Sequence, residues 1–464
     1  MMHTQPDWRN YQRHLRKSKN RYSRKKSRAK YLMIASLLFV IIYGLFGFGS
    51  DASNYPDLSL LPFIEIPQHD SETAPEIVNS QIDYNFNNNK QMWSKQNVRD
   101  LLRNESFINL TENDIRISHN DKQYFVRTSI DTELQQYLMK NMRRSYTRFL
   151  SIVVMEPKTG RIISMVGFDK THKTDNPCIE KRFPAASVFK IVTAAAAIEI
   201  CGIDPDTVLS FNGRKYTLYR KQISEKNNRY TNKISFKNSF AQSINPVFGK
   251  LGSLYLGKAA LEEYAESFGF NQTFNFELPV SESTFHVTGE QYHQAEIACG
   301  FNRETLITPL HGALLVSSIL NEGKIPEPTI VDHIEDSGGQ IYYKSQKAAI
   351  TQAISTKTCQ KLKQLMNATV KSGTARKSFR GFQRDRILSK LNIGGKTGSI
   401  SNKKHDVRFD WFVGFAEQKK GSQQMVISAI VGHDKYIGTR ACRYARSTIR
   451  EYFKLAHSDD FAKR

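Results

Sequence analysis

Apolar and polar positions change rhythm several times along the chain. Tyr31 to Gly49 is an unbroken run of 19 uncharged, mostly apolar residues, long enough to cross a bilayer as one helix. Residues 51–90 show no periodicity and are rich in Pro, Asn, Asp and Ser, the pattern of a tether. From Gln91 to Lys122 the pattern predicts a short helix over Asn97 to Arg103 and a strand or two, a small pedestal. Ser151 to Met155 and Arg161 to Val166 are strand-like runs joined by Pro157-Lys158-Thr159-Gly160, which predicts a hairpin. An apolar helix is expected over Ile191 to Ile200, and helices fill much of 187–320. Late strands are expected around 393–400, 409–417 and 424–432, with a turn at Gln418 to Ser422. Ala441 to Leu455 is amphipathic and should pack against the sheet. These elements predict a mixed α+β fold. An antiparallel sheet is flanked by helices and joined by a mostly helical subdomain, with the site between them. No internal repeat is evident.

Charge refines this picture at the N-terminus. Residues 1–30 carry eleven Lys or Arg against Asp7 alone, leaving +13 of the net +23 for the rest of the chain. A basic flank before an apolar span keeps that flank in the cytoplasm and sends the chain after residue 50 outside. Gly47 to Ser53 offers no convincing signal-peptidase site, so the span is expected to be a retained single-pass anchor. The expected organisation is a basic cytoplasmic tail (1–30), an anchor (31–49), a tether with pedestal (50–123) and a catalytic domain (124–464). The remaining positive charge fits either a solvated surface or acidic wall polymers and lipids. Nucleic acid is not an expected partner, because neither topology nor motif supports it. Five cysteines (178, 201, 299, 359 and 442) are scattered with no Cys-x-x-Cys, and buried free thiols are the default reading. No zinc spacing appears, and His405, Asp406 and Asp410 read as strand and loop residues, so no metal or organic cofactor is expected.

The candidate chemistry begins at Phe183-Pro184-Ala185-Ala186-Ser187-Val188-Phe189-Lys190. A serine and a lysine three residues apart share one face of a helix. A hydroxyl needs a base before it attacks, and a lysine serves as that base only if burial lowers its pKa. The same spacing at Ser23/Lys26, Ser27/Lys30 and Ser401/Lys404 lies in polar or basic surroundings that cannot desolvate a lysine. Ser187 alone opens an apolar stretch. Ser243-Ile244-Asn245 follows 56 residues later, and Lys396-Thr397-Gly398-Ser399 a further 153 residues on. Read alone, Ser243-Ile244-Asn245-Pro246 is a turn, Gly394-Gly395 suggests a bulge, and Arg303 beside Glu304 an ordinary surface pair.

This ordered triplet is the signature of serine β-lactamases and penicillin-binding proteins. The chain resembles the penicillin-binding transpeptidase domain from about Tyr124 to about Phe453. Besides the triplet, the resemblance rests on Thr128-Ser129-Ile130-Asp131 with Leu134-Gln135, the hairpin from Val153 to Val166, and Thr308-Pro309-Leu310-His311 through Gly323. Gly373-Thr374-Ala375 and Trp411 to Phe415 complete it. The family's glycosyltransferase domain does not fit into some 75 residues before this region, and neither its paired glutamates nor the usual long pedestal is found.

The resemblance implies a membrane-anchored D,D-transpeptidase that cross-links peptidoglycan stem peptides and binds β-lactams covalently. Ser187 is then the nucleophile and Lys190 its base. Ser243 passes a proton to the departing amine, and Asn245 binds substrate and braces Lys190. Lys396 adds positive charge, Thr397 and Ser399 offer hydroxyls to a carboxylate, and Gly398 admits the substrate strand. The Ser399 N–H is the second oxyanion donor. Many relatives carry Thr where Ser399 stands. A separate membrane glycan polymerase is an expected partner. The alternatives are a D,D-carboxypeptidase or serine β-lactamase and, further off, a non-enzymatic β-lactam sensor or scaffold. Against a lactamase stand Asn245, where lysine-carbamylated enzymes favour valine, and the lack of a Glu-x-x-Leu-Asn segment.

Overall fold

The computed structural model describes residues 92–462 apart from 173 and 174, with side chains to 456. The expected tail, anchor and tether lie outside the described residues. Among the described residues no helix is long and apolar enough to cross a membrane.

The described chain opens with α1 (Lys95–Leu101). It begins two residues earlier than expected because Ser94 and Asn97 form a reciprocal capping box, Ser94 N–H donating to Asn97 Oδ1 at 3.0 Å. Strands β1 (Asp114–His119) and β2 (Lys122–Thr128) follow and pair antiparallel. Residue 124 therefore falls inside a strand. α2 (Thr132–Asn141) leads to β3 (Thr147–Met155) and β4 (Ile162–Asp169), the expected hairpin.

The helical region comprises α3 (Lys190–Cys201), α4 (Phe236–Ala241), α5 (Asn245–Lys250), α6 (Gly257–Ser267), α7 (Gln291–Cys299) and α8 (Pro309–Leu320). Then come β5 (Val331–Asp336), β6 (Ile341–Lys344) and α9 (Thr356–Lys371). The chain closes with β7 (Leu391–Ser401), β8 (Arg408–Gln418), β9 (Gln424–His433) and α10 (Ala441–Ala462).

The main sheet has the order β7-β8-β9-β3-β4 and is antiparallel throughout. Both faces are covered, which is why β9 is apolar nearly without interruption and buried at every position after Gln424. On one face Ile427, Ala429 and Val431 join Leu134 and Leu138 of α2 and Ala445, Ile449 and Phe453 of α10. On the other, Val426, Ile430, Trp411 and Val413 join α3 and the wholly buried α8. A second sheet, β1-β2-β5-β6, ties the N-terminal strands to the segment after α8. The expected mixed α+β fold is the one observed.

The outer edge of β4 is closed by side chains standing in for a sixth strand. Gln135 Oε1 accepts from Met165 N–H at 3.0 Å and its Nε2 donates to Met165 C=O at 3.3 Å. Asn109 does the same for Gly167, accepting at 3.0 Å and donating at 2.9 Å. Open edges invite pairing with other chains, and these amides remove that template. Gln135→Leu keeps the bulk but leaves the buried Met165 N–H and the Ser164 hydroxyl without their acceptor, while the Met165 carbonyl keeps the Asn109 N–H at 3.2 Å. It should cost roughly 1–3 kcal/mol, read as a lower midpoint in denaturant unfolding; an unchanged midpoint would show the edge bonds to be dispensable.

Candidate active site

The site is built where α3, α4, α5, α7 and β7 meet. Ser187 lies in a 3-10 turn, Ala186–Phe189, that runs directly into α3. The tighter turn still places residues three apart on one face, and Lys190 Nζ lies 2.8 Å from Ser187 Oγ. Ala186 holds a left-handed φ of 47°, a strained conformation for alanine. It is held from below by Gly300 at the end of α7, where an added Cβ would sit 1.9 Å from the Ala186 carbonyl oxygen.

Lys190 is completely buried. Besides Ser187, its Nζ meets Asn245 Oδ1 at 2.8 Å and the Cys299 carbonyl at 2.5 Å, with the Phe248 ring centroid 5.6 Å away. The Asn245 amide is oriented by its other end, since Nδ2 donates to the Tyr216 carbonyl at 3.0 Å. Burial holds the Lys190 pKa down at about 8, against an ordinary 10.5. The neighbouring Cys299 works the other way, and burial wins because no carboxylate bonds the ammonium. As a neutral amine, Lys190 has two N–H groups for Asn245 and Cys299 and one lone pair left for the Ser187 proton. That is the arrangement of a base.

A second buried lysine stands opposite. Lys396 Nζ donates to Ser243 Oγ at 2.9 Å and to the Thr397 carbonyl at 2.8 Å, near the Phe240 ring. Burial, and then the neighbouring Lys190 charge, hold its pKa well below the ordinary value. Ser243 has a left-handed φ of 56°, and its hydroxyl is almost fully enclosed. All three motif elements are therefore brought to one place.

β7 carries the fourth side of the site. Its ladder with β8 runs without a register shift from Leu391 to Ser401, so Gly394-Gly395 is not a bulge. These glycines make room for rings, since an added Cβ would meet Phe415 Cζ at 2.5 Å or Phe412 Cζ at 2.4 Å. At Gly398 an added Cβ would lie 3.3 Å from the Ala185 carbonyl oxygen and Val188 Cγ2, which marks how closely β7 passes the nucleophile turn.

Backbone groups on an edge strand face outward at every second residue. The Ser401 carbonyl is taken there by Arg303 Nε at 2.7 Å, and the Thr397 carbonyl by Lys396. Ser399, between them, keeps its N–H and C=O directed into the cleft.

Several contacts were not legible in the sequence. Arg303 is not a surface partner of Glu304 but a cap on β7. Arg408 Nε donates to Ser399 Oγ at 3.0 Å, reached from the paired strand β8. Thr374 Oγ1 lies 2.6 Å from Thr397 Oγ1, and Thr374 N–H bonds the Ala241 carbonyl at 3.0 Å, joining the Gly-Thr-Ala element to the loop of Ser243. The five cysteines are all buried and none is in a disulfide. Asp410 accepts from Ala441 N–H at the start of α10, and Asp406 pairs with Arg148, as strand and loop residues do. One acid–imidazole group, Asp169, His172 and Asp175, converges among the described residues, and the Lys181 ammonium bonds all three.

Comparison with known proteins agrees with this fold. The chain is 24% identical over 326 residues to stage V sporulation protein D of Bacillus subtilis, covering 63% of this chain and 47% of that protein. It is 24% identical to the peptidoglycan D,D-transpeptidase PbpA of Mycolicibacterium smegmatis, covering 64% and 66% respectively. The chain thus spans about half to two thirds of the length of these relatives. Among solved structures, the D,D-transpeptidase domain of a peptidoglycan glycosyltransferase from Eggerthella lenta shares the fold. It has a TM-score of 0.57 and 22% identity, over 72% of this chain and 83% of that one. Penicillin-binding protein A of M. tuberculosis as its imipenem acyl-enzyme gives a TM-score of 0.58 at 20% identity, over 70% and 78%. The family model for the penicillin binding protein transpeptidase domain matches residues 150–450, from β3 to α10, and takes in every element that builds the site. On that match, this chain belongs to the penicillin-binding protein transpeptidase domain family.

Proposed function

We propose that the protein is a serine D,D-transpeptidase that cross-links peptidoglycan stem peptides and is acylated by β-lactams at Ser187. The observation that carries this reading is the buried Lys190 amine, 2.8 Å from Ser187 Oγ, with its other two positions filled by Asn245 and the Cys299 carbonyl.

In this mechanism neutral Lys190 accepts the Ser187 proton as Oγ attacks the carbonyl of the penultimate D-alanine. The backbone N–H groups of Ser187 and Ser399 hold the developing oxyanion. The C–N bond then breaks, and the departing D-alanine takes up a proton through Ser243, whose hydroxyl is oriented by Lys396. Lys396 and the Thr397 hydroxyl attract the substrate's terminal carboxylate. An amine on a neighbouring stem attacks the resulting ester, gives up its proton along the reverse route, and restores Ser187. Asn245 positions Lys190 and binds the donor's amide; Gly398 lets the donor approach the strand. No step calls for a metal or organic cofactor.

The basic tail and the apolar run at 31–49 support a single-pass anchor in the cell membrane, with the N-terminus cytoplasmic and the catalytic domain outside. A membrane glycan polymerase is the proposed supplier of strands. Relatives described as peptidoglycan D,D-transpeptidases support transfer to an amine over transfer to water.

Fluorescent penicillin should label the full-length protein at one site and leave Ser187→Ala unlabelled. Retention of label for minutes or longer fits a transpeptidase, whereas loss within seconds would identify a β-lactamase. The pH profile tests the base directly. Below about 8 Lys190 holds its proton and Ser187 has no acceptor. The acylation rate constant should therefore climb about tenfold per unit toward that pH and level off above it. A profile flat from pH 6 to 9, or an unchanged one in Lys190→Ala, would remove Lys190 from this role.

A further inference from the structure

The +13 that remains outside the N-terminal tail is not spread evenly over the protein. Residues 337–405 hold fifteen Lys or Arg against Asp385 alone, so this one stretch carries +14 and the rest of the chain after residue 30 is close to neutral. Of the fifteen, only Lys396 belongs to the three motifs. The densest part lies between α9 and β7. Arg376, Lys377, Arg380, Arg384, Arg386 and Lys390 are all exposed there, and none has a carboxylate partner among the described residues. The one acid among them, Asp385, is already paired with Arg450 of α10 at 3.2 Å.

These cations are fixed as one face by the core beneath them. Phe379, Phe382 and Leu388 are buried with Tyr444, Ala445 and Ile449 of α10. Arg446 of the same helix donates to the carbonyls of Ser378 at 3.2 Å and Arg380 at 2.9 Å. Arg443, one turn earlier on α10, is exposed. The Lys419 N–H bonds the Lys390 carbonyl at 3.0 Å, which sets the β8–β9 turn and its exposed Lys420 alongside. A merely solvated surface mixes both signs of charge. A one-signed field repels itself and weakens the fold, and its use is to attract partners of opposite charge.

The face opens onto the cleft. Thr374, two residues before Arg376, has its hydroxyl 2.6 Å from that of Thr397, and its N–H bonds the Ala241 carbonyl in the loop of Ser243. A partner lying along the face therefore reaches the side of the site where Lys396 and Thr397 stand. That placement selects among polyanions. A peptidoglycan strand before cross-linking is one, because every unreacted stem ends in a carboxylate and stems recur along the glycan. While one stem occupies the cleft, its neighbours are held beside the face at high local concentration, and many weak contacts add up.

We propose that the basic face built on residues 376–390 and α10 is an exosite for uncross-linked glycan strands, attracting the carboxylates of stems next to the one in the cleft. The proposal rests on the peptidoglycan reading given above and adds to it a preference for polymer over free stem peptide.

The test measures equilibrium binding of fluorescent uncross-linked strands to the full-length protein and to Lys377→Gln/Arg380→Gln/Arg384→Gln/Arg386→Gln. At low salt the unaltered protein should bind the strands about tenfold more tightly than the variant. The gap should close in about 1 M salt, where the screening length falls to about 3 Å. In that salt penicillin should acylate both proteins at the same rate, which shows the variant to be folded with its site intact. Should the variant lose acylation, Lys420→Gln/Arg443→Gln on the neighbouring elements replaces it, with strand binding expected to weaken about threefold. Equal strand binding by altered and unaltered protein, or a gap that high salt leaves in place, overturns the exosite. Vesicles of anionic phospholipid serve as the rival ligand, the basic tail being common to both proteins. A variant that loses the vesicles and keeps the strands makes the face a membrane contact and also overturns the proposal. Failure of the unaltered protein to react with penicillin would instead overturn the acyl-transfer reading, and strand binding, which involves no reaction, would still decide the exosite.

Discussion

Every part of this site answers to one constraint: an amine must be kept dry and still be satisfied. Lys190 is buried among α3, α5 and α7, and the groups that hydrogen-bond it are neutral dipoles. A carboxylate in place of Asn245 would hold the proton on nitrogen and abolish the base. An apolar residue there would leave the ammonium without compensation. An amide is the compromise, polar enough to orient the amine and too weak to keep it charged. Lys396 follows the same rule, with a hydroxyl and a carbonyl where an acid might have stood.

That constraint propagates into backbone conformation. To bring the α7 terminus under Lys190, the chain must pass so close to the nucleophile turn that only a glycine fits at 300. Ala186 and Ser243 both occupy left-handed conformations that side chains usually avoid. The surrounding core holds them there: α8 is buried along its whole length, and Trp411 reaches from β8 to the Pro184 carbonyl at 2.9 Å. Rigidity around the reactive groups thus comes from the sheet and its two helical layers, with the reactive residues themselves carrying the strain.

How much of this could be read from residues alone depended on range. The hairpin at 151–167 and the three late strands follow from local pattern, and the structure places them within a few residues of expectation; the amphipathic last helix starts at Ala441 as expected and runs seven residues further, to Ala462. Features that depend on distant partners were missed. The start of α1 turned on a reciprocal cap between Ser94 and Asn97. Gly394-Gly395 looked like a bulge because nothing nearby in sequence announces the rings of Phe412 and Phe415 on the neighbouring strand. Arg303 seemed committed to its sequence neighbour, whereas its partner lies 98 residues away. Arg408 gained meaning only once the β7–β8 register set it beside Ser399.

The two borders of the main sheet are treated unequally. Amides close β4, while lysine and arginine take the β7 carbonyls on either side of Ser399 and leave the Ser399 rung open between them. One rung is too little to hold an arbitrary extended chain, so the protein is insulated against templating fibrils or pairing with unfolded neighbours. The same economy means that main-chain affinity alone cannot retain a guest, and discrimination between true donors and the many other peptides of a cell surface falls to whatever flanks that rung.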